Sequence, residues 1–414
     1  MTMPQAFAKY QTSVKLPDGW KWVHLQEVCQ DTIENRNPCN NPEQPFTYVD
    51  ISSIDAQLKQ IIGPKQLLGK NAPSRARQVI RANDVIVSTT RPNLNAVAMV
   101  PFSLDNQICS TGFCVLRPNA DLSPYYLFFF VRTANFVESL TNLVKGALYP
   151  AVTDGQVKSQ LMPLPPTLAE QARIARILNE QMAAVEKARA AAEARLEAAQ
   201  SLEAAYLRAV FNDGLLEKWP KQQIGKICSI IGGNTLPVLD NYYGAEKIFC
   251  LKVSDLKGPF SDGRCLNGGS YSVHPSTAGK RILEPGATVF PKRGGAIATN
   301  EKRLLNVRAV LDPNLMGIQP KEGSDLLPIY LYLWLQNLNI ASLQSGNSVP
   351  QVNQQDFFPL PIPLPDVSTQ QKYASALMRN ILKAKEVVQL IQQELDSVNT
   401  LPAALLRQAF TGGL

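Results

Sequence analysis

Two loops in the first half of the 414-residue chain gather side chains that hydrogen-bond through forked or paired donors. Lys70-Asn71-Ala-Pro-Ser74-Arg75-Ala-Arg77-Gln78 places three cations and three polar side chains within nine residues. Thr89-Thr90-Arg91-Pro92-Asn93-Leu-Asn95 follows an apolar β-type run, so Arg91, Asn93 and Asn95 belong at a strand tip. The second half offers Lys280-Arg281, Lys292-Arg293-Gly294-Gly295 and Thr299-Asn300-Glu301-Lys302-Arg303. Guanidinium and amide groups match the edges of guanine and adenine, whereas ammonium and backbone N–H groups match phosphates. The glycine pair lets backbone approach a ligand closely. For any single cation the ordinary alternative is a solvated surface residue. Arg91 and Arg293 stand out because they share a position after a strand.

Residues for bond-making chemistry are missing. An Asp/Asn-Pro-Pro-aromatic motif, which presents a base to a methyl donor, has only Asn37-Pro38-Cys39 as its nearest match. Gly63…Gly69-Lys70-Asn71 has the wrong spacing for a phosphate-cradling loop. With only His24 and His274, a histidine metal site or acid–base pair is not expected. His24 reads as structural; His274 is loop-like, with phosphate contact as its alternative. Cys109 and Cys114 lack the second pair of a tetrahedral site and read as core. Seven cysteines without a C-x-x-C pair fit reduced thiols in a cytosol. Hydrophobic residues at 45% and charged residues at 18% describe a folded chain. No apolar run spans a bilayer, and MTMPQAFAKYQTSVK lacks a secretory signal's core, so a cytoplasmic binding protein is expected. The net charge of +7 permits a nucleic-acid partner without requiring one.

The elements that must position these loops come from one plan written twice. Trp20, Leu25, Val28 and Cys29 match Trp219, Ile224, Ile227 and Cys228 at an offset of 199. Tyr48-Val49-x-Ile51 and Arg117-Pro118 find Cys250-Leu251-x-Val253 and Gln319-Pro320 at 202. Asp84–Val87 followed by Arg91 parallels Gly286–Val289 followed by Arg293, also at 202. Gly146, Pro150 and Val152 return as Gly346, Pro350 and Val352, and Leu-Arg-x-x-Phe-x-x-Gly-Leu ends both copies at Leu215 and Leu414. Net charge follows the same division: +3 over both 1–166 and 216–366, against −1 over 167–215 and +2 over 367–414.

Each copy opens with about 150 residues rich in Pro, Gly and Asn, with β-type runs at 84–88, 96–100 and 113–116. Tyr125–Val131 and Ile329–Trp334 read as short helices or buried strands, and Tyr48, Phe113, Tyr126 and Trp334 as core. Proline strips at 162–166 and 360–365 mark domain edges. After each strip comes a long helix. Leu377, Ile381, Ala384, Val388, Ile391, Leu395 and Val398 keep a strict 4-3 spacing. Leu178, Met182, Val185, Arg189, Ala192, Leu196 and Ala199 repeat it 199 residues earlier, with Arg189 as the polar interruption. A 3.5-residue period means helix packed on helix, while one amphipathic helix on a core shows a wider stripe. Arg189 either snorkels to water or pairs with a glutamate on the facing helix, and Pro402 is expected to interrupt the second helix.

Twice over and in the same order, these features resemble the specificity subunits of type I restriction–modification systems, across nearly the whole chain. The carriers are the proline strip leading to Glu170-Gln171 and Ile174 (Gln370-Gln371 in the second copy), Gly…Pro-x-Val, the long helices and the closing motif. Gln370, where the family usually carries Glu, and Arg189 are departures. The resemblance implies an α+β fold: α/β target recognition domains at 1–166 and 216–366, with antiparallel coiled-coil spacer helices at 167–215 and 367–414. It implies a non-catalytic subunit that recognises a bipartite double-stranded DNA target. Its helices would set the half-site separation and dock two methyltransferase subunits, joined in a full restriction complex by motor–nuclease subunits. S-adenosylmethionine, and ATP with Mg, would sit on those partners and none on this chain. The exposed flank Ala183, Ala190, Ala191 and Ala198 is then a docking candidate. The DNA-contacting candidates become Lys70, Asn71, Arg75, Arg77, Arg91, Asn93, Asn95, Lys280, Arg281, Lys292, Arg293, Asn300, Lys302 and Arg303, with 146–149 and 345–348 beside them. The rival reading is a protein-interaction scaffold on a coiled-coil rod.

Overall fold

The computed structural model describes residues 16–144, 150–212, 218–237, 242–343 and 350–414. Two 44-residue helices dominate it, Leu168–Phe211 and Val367–Phe410. Leu178, Met182, Val185, Ala192 and Ala199 are buried along the first, with Arg189 and Leu196 half-buried. Leu377, Ile381, Ala384, Ile391 and Leu395 are buried along the second, with Val388 and Val398 half-buried. Two expectations need correction. Arg189 pairs with Glu186, three residues away on its own helix. The second helix continues through Pro402. An interior proline costs about 3 kcal/mol, and burial of Leu406, Ala409 and Phe410 just beyond it offsets that cost.

Packing divides the chain into two compact units, and the division falls inside both long helices. The first comprises residues 1–193 and 393–414. One sheet orders Lys65–Leu68, Pro45–Val49, Gln107–Ser110 and Ala76–Ile80; another orders Phe113–Leu116, Val85–Ser88 and Val97–Met99. The proline strip is itself a strand, Leu161–Leu164, antiparallel to Lys21–His24. A two-stranded edge pairing tolerates a residue without an N–H donor. Tyr125–Val131 resolves as a helix, Pro124–Phe130, because Pro124 pre-sets the first turn.

The second unit, residues 194–392, repeats the plan. Cys228–Gly232, Leu315–Pro320, Thr288–Pro291, Arg303–Leu305 and Cys265–Leu266 form one sheet, and Tyr271–Val273, Ile248–Leu251 and Ala309–Leu311 another. Its strip strand, Pro361–Pro363, pairs with Lys221–Gln223, and Pro328–Asn337 is the matching helix. Tyr48 faces Ile108 across a parallel pair, and Cys250 faces Val310 across its counterpart.

The closing motif of each copy packs in the unit built on the other copy's domain. In the first unit Phe410 lies 4.9 Å from Tyr126 and 5.6 Å from Phe130, ring centre to ring centre. Leu406 and Phe410 join one core with Ile174 and Leu178, so the last turns of one long helix meet the first turns of the other in antiparallel sense. In the second unit Phe211 stands 5.5 Å from Tyr330, and Leu207 and Phe211 share a core with Leu377 and Ile381. Buried Tyr126 donates to the Pro163 carbonyl at 2.7 Å, and Tyr330 to that of Pro363 at 3.1 Å.

A buried glutamine ties each helix start to its domain. Gln171 Oε1 accepts from Ser123 N at 2.8 Å, and Gln370 Oε1 from Leu327 N at 2.9 Å. Gln370 is therefore the counterpart of Gln171, one residue off the expected alignment, and Thr369 stands where Glu170 does. His24 holds Nδ1 2.8 Å from the Ser159 carbonyl oxygen, a structural contact. Among the described residues no helix is long and apolar enough to cross a membrane.

Candidate nucleic-acid interface

In the first unit the strand Val85–Ser88 ends in a loop fixed by backbone bonds. Thr89 N donates to Gly112 O at 2.9 Å, and Arg91 N donates to Pro150 O at 2.8 Å. Pro92–Leu94 then forms a single 3-10 turn, entered by Arg91 at φ 49° and left by Asn95 at φ 46°. Left-handed backbone costs a non-glycine residue about 1 kcal/mol, and two such residues around one turn aim Arg91 and Asn93 outward, both exposed. Thr111 N donates to Arg75 O at 2.9 Å, so the Thr111–Gly112 turn joins Arg75 to Thr89 on one edge. The structure thus brings together Arg75, Arg91 and Asn93 from two separate loops. Other candidates are already engaged. Lys70 pairs with Glu43 at 3.2 Å. Arg77 bends back to the Ala76 carbonyl at 2.7 Å. Gln78, from the same loop, is buried and donates to Ser110 O and Phe113 O. Asn71 is exposed, and Asn95 half-buried.

The second unit repeats the backbone anchors with other side chains on them. Gly294 N donates to Pro350 O at 2.8 Å, and Val352 N to Lys292 O, as Val152 N does to Thr89 O. Arg91 therefore corresponds to Gly294, and the expected pairing of Arg91 with Arg293 is one residue out. Gly286, at φ 95°, occupies the place of Asn83, at φ 69°. The left-handed entry to the following turn, Gly295–Thr299, falls on Gly294 at φ 74°. The cations sit one and two residues earlier. Burial, then the charges of Arg281 and Arg293, hold the half-buried Lys292 ammonium below the usual lysine range. Arg281 also reaches the Gly232 carbonyl at 3.5 Å. A Cβ on Gly232 would come within 3.2 Å of Lys292 Nζ, so glycine there leaves the ammonium its space. Three like charges held this close favour a polyanionic ligand.

Three candidates in this half are corrected. Lys302 is fully buried, its Nζ on the carbonyls of Leu338 (2.9 Å) and Asn300 (3.2 Å). Arg303 is buried against Glu301 at 2.7 Å and Ser261 Oγ at 2.8 Å. Arg303 opens the strand Arg303–Leu305 and Lys302 immediately precedes it; as neighbours they point to opposite sides, and both sides are covered there. Asn300 spends its amide on Leu338 O and Ile340 N. Lys280 is exposed. His274 takes a hydrogen bond from Ser276 N at 3.2 Å and stands edge-on to Tyr242. Gly146–Tyr149 and Ser345–Ser348 lie outside the described residues.

Sequence reasoning passed over Lys59 and Arg132. Half-buried Lys59 donates to Asn95 O at 2.6 Å, and burial with the nearby Arg132 charge pushes its pKa down to about 8. Arg132 lies over the Phe128 and Phe129 rings, 5.1 and 5.2 Å from their centres. Nothing in the surrounding residues marks Lys59, which reaches the loop from 36 positions away. Burial pushes the Cys29 and Cys228 thiols up to about 12, which suits packing and not nucleophilic attack. Among the described residues no group of three His, Cys, Asp or Glu side chains could hold a metal.

A family model for the type I restriction modification DNA specificity domain matches the chain twice, at residues 17–193 and 217–396. The type I restriction enzyme EcoKI specificity subunit of Escherichia coli K12 is 22% identical over 97% of this chain and 90% of its own. The HsdS subunit from Thermoanaerobacter tengcongensis is 32% identical over 98% of this chain and all of its own, with a TM-score of 0.72. A chain from a structural study of complex assembly and conformational transition of the type I R-M system is also 32% identical, covering 97% of this chain, with a TM-score of 0.80.

Proposed function

Because the chain belongs to the type I restriction modification DNA specificity family, we propose that each unit reads one half of a divided duplex target through its loop edge. The chain is a DNA sequence-specificity subunit, and that role is non-catalytic. Arg75, Arg91 and Asn93 contact one half-site; Arg281, Lys292 and Arg293, with Lys280, contact the other. One observation carries this reading: backbone anchors repeat between the units, Arg91 to Pro150 and Gly294 to Pro350, while the side chains mounted on them differ. Equal scaffolds with unequal donors suit a target whose halves differ in sequence. Arginine forks favour guanine and asparagine favours adenine, each worth about 1–3 kcal/mol against a wrong base. Lysines contribute phosphate attraction that weakens steeply with salt.

The DNA and restriction–modification partners follow from the family; two methyltransferase subunits on the helix flanks are the finer reading. Exposed Ala183, Ala190, Ala191 and Ala198 support it on the first long helix, and exposed Leu382, Val387 and Leu390 on the second. The test maps methylated adenines in DNA from cells expressing the chain with its methyltransferase partner. Arg91→Ala should relax one half of the motif and Arg293→Ala the other. Unchanged motifs in both variants would remove these loops from the reading set. Duplex affinity that ignores salt would favour the scaffold alternative.

A further inference from the structure

Each loop edge closes on an asparagine in the left-handed region, Asn95 at φ 46° and Asn300 at φ 51°. That conformation turns the asparagine carbonyl away from any strand ladder, and in both units a lysine ammonium meets it. Lys59 Nζ lies 2.6 Å from Asn95 O. Lys302 Nζ lies 3.2 Å from Asn300 O and 2.9 Å from Leu338 O. The two lysines do not correspond in the repeat. Lys59 comes from the turn between Ile54–Asp55 and Gln60–Ile61 and is itself left-handed, at φ 57°. Lys302 lies two residues beyond its asparagine, entering a strand.

Neither ammonium pairs with a carboxylate among the described residues. Lys302 is fully buried and Lys59 half-buried, where a cation without an ion-pair partner is costly even with the longer-range attraction of Glu301 and Asp55. Burial holds Lys302 at about 7 and, with Arg132, Lys59 at about 8. One contact reached twice, from unrelated positions and against that cost, points to a requirement of the loop. Were the carbonyl free to swing, the turn after Arg91, or after Gly294, would lose its register to Pro150, or Pro350, and the exposed donors their aim.

We infer that Lys59 and Lys302 are positioning residues for target reading, each fixing the loop of its own half-site through the carbonyl of the closing asparagine. This rests on the loops being the readers, so the test carries Arg91→Ala and Arg293→Ala alongside. The full chain is assembled with its methyltransferase partner, and methylation rates are compared on cognate duplexes and on duplexes with single base changes in either half. Lys59→Met should lower discrimination about tenfold at the half that Arg91→Ala affects and leave the other half intact. Lys302→Met should do so at the half that Arg293→Ala affects. Lys59→Gln and Lys302→Gln, which keep a donor to the carbonyl, should retain discrimination; the glutamine variant carries the test wherever the methionine variant fails to assemble. Equal loss at both halves, or folded glutamine variants as lax as the methionine ones, would overturn the inference. Lysine variants that leave discrimination unchanged while the arginine variants alter it would overturn it too, with the loop reading intact. If the arginine and lysine variants alike leave the pattern unchanged, the loop reading itself falls.

Discussion

The two units solve one backbone problem with different residues. Leaving its strand, each unit takes a positive φ, compact αL at Arg91 (ψ 60°) and extended at Gly294 (ψ −169°). Glycine adopts positive φ freely and arginine does not, so the first unit accepts strain to mount a guanidinium on the turn. The second leaves the turn bare and clusters Lys292 and Arg293 just before it. The supports differ in the same way. In the first unit buried Asp84 takes two 2.8 Å bonds from Arg117, a forked ion pair. The corresponding residues in the second are Ala287 and Gln319, and Gln319 instead accepts from Glu284 N at 3.1 Å. Duplication set the path of the chain, and divergence then acted on which atoms line it.

The largest effect should come from breaking that ion pair. Asp84→Ala leaves the Arg117 charge largely buried without its partner and should cost the first unit about 3 kcal/mol. Adding Arg117→Gln copies the second unit and should recover most of the loss. Urea unfolding monitored in the first unit checks both; a double variant no better than the single one would mean that the two supports are not interchangeable.

Arg91→Gly places the second unit's residue type on the first unit's turn. Relief of about 1 kcal/mol of strain and the greater freedom of glycine in the unfolded chain nearly cancel, so stability should move by less than about 1 kcal/mol. Discrimination at one half-site should fall by about 1–3 kcal/mol. Methylation rates on matched and mismatched duplexes measure it, and unchanged discrimination would show that Arg91 is surface decoration.

The subtlest contrast is in pH. Lys302 has a folded-state pKa of about 7 against 10.5 for a free lysine. Between those values the unfolded chain holds a proton that the folded chain lacks, so stability rises with pH through that window. Below pH 7 both states are charged and the full cost of burial remains. Lys59, at about 8, confers a smaller rise over a narrower window. Urea titrations at pH 7, 8 and 9 should show the steeper gain in the second unit, and Lys302→Met should flatten it.

Much of this was legible in the residues. Apolar positions four and three apart mark the helix seam, because a 3.5-residue period keeps one face of a helix against another helix. The duplicated Trp, Pro-x-Val and Leu-Arg-x-x-Phe signals mark two domains. The donor-rich loops were legible as composition but not as exposure: Lys302 and Arg303 read like any basic loop until distant partners, the Leu338 carbonyl and Ser261, cover them. The missed lysine, Lys59, has no local signature, because its partner lies 36 residues away.

The amino-acid sequence by itself determined the periodicities, the repeat and the store of forked donors, since each follows from neighbours along the chain. Only the tertiary structure decided that each closing motif packs in the unit built on the other copy's domain. It also decided the true register between the copies, Arg91 with Gly294 and Gln171 with Gln370. Those are matters of hydrogen bonds between distant segments, and short insertions and deletions that shift the offset by one residue leave no trace until the backbone carbonyls and amides find their partners.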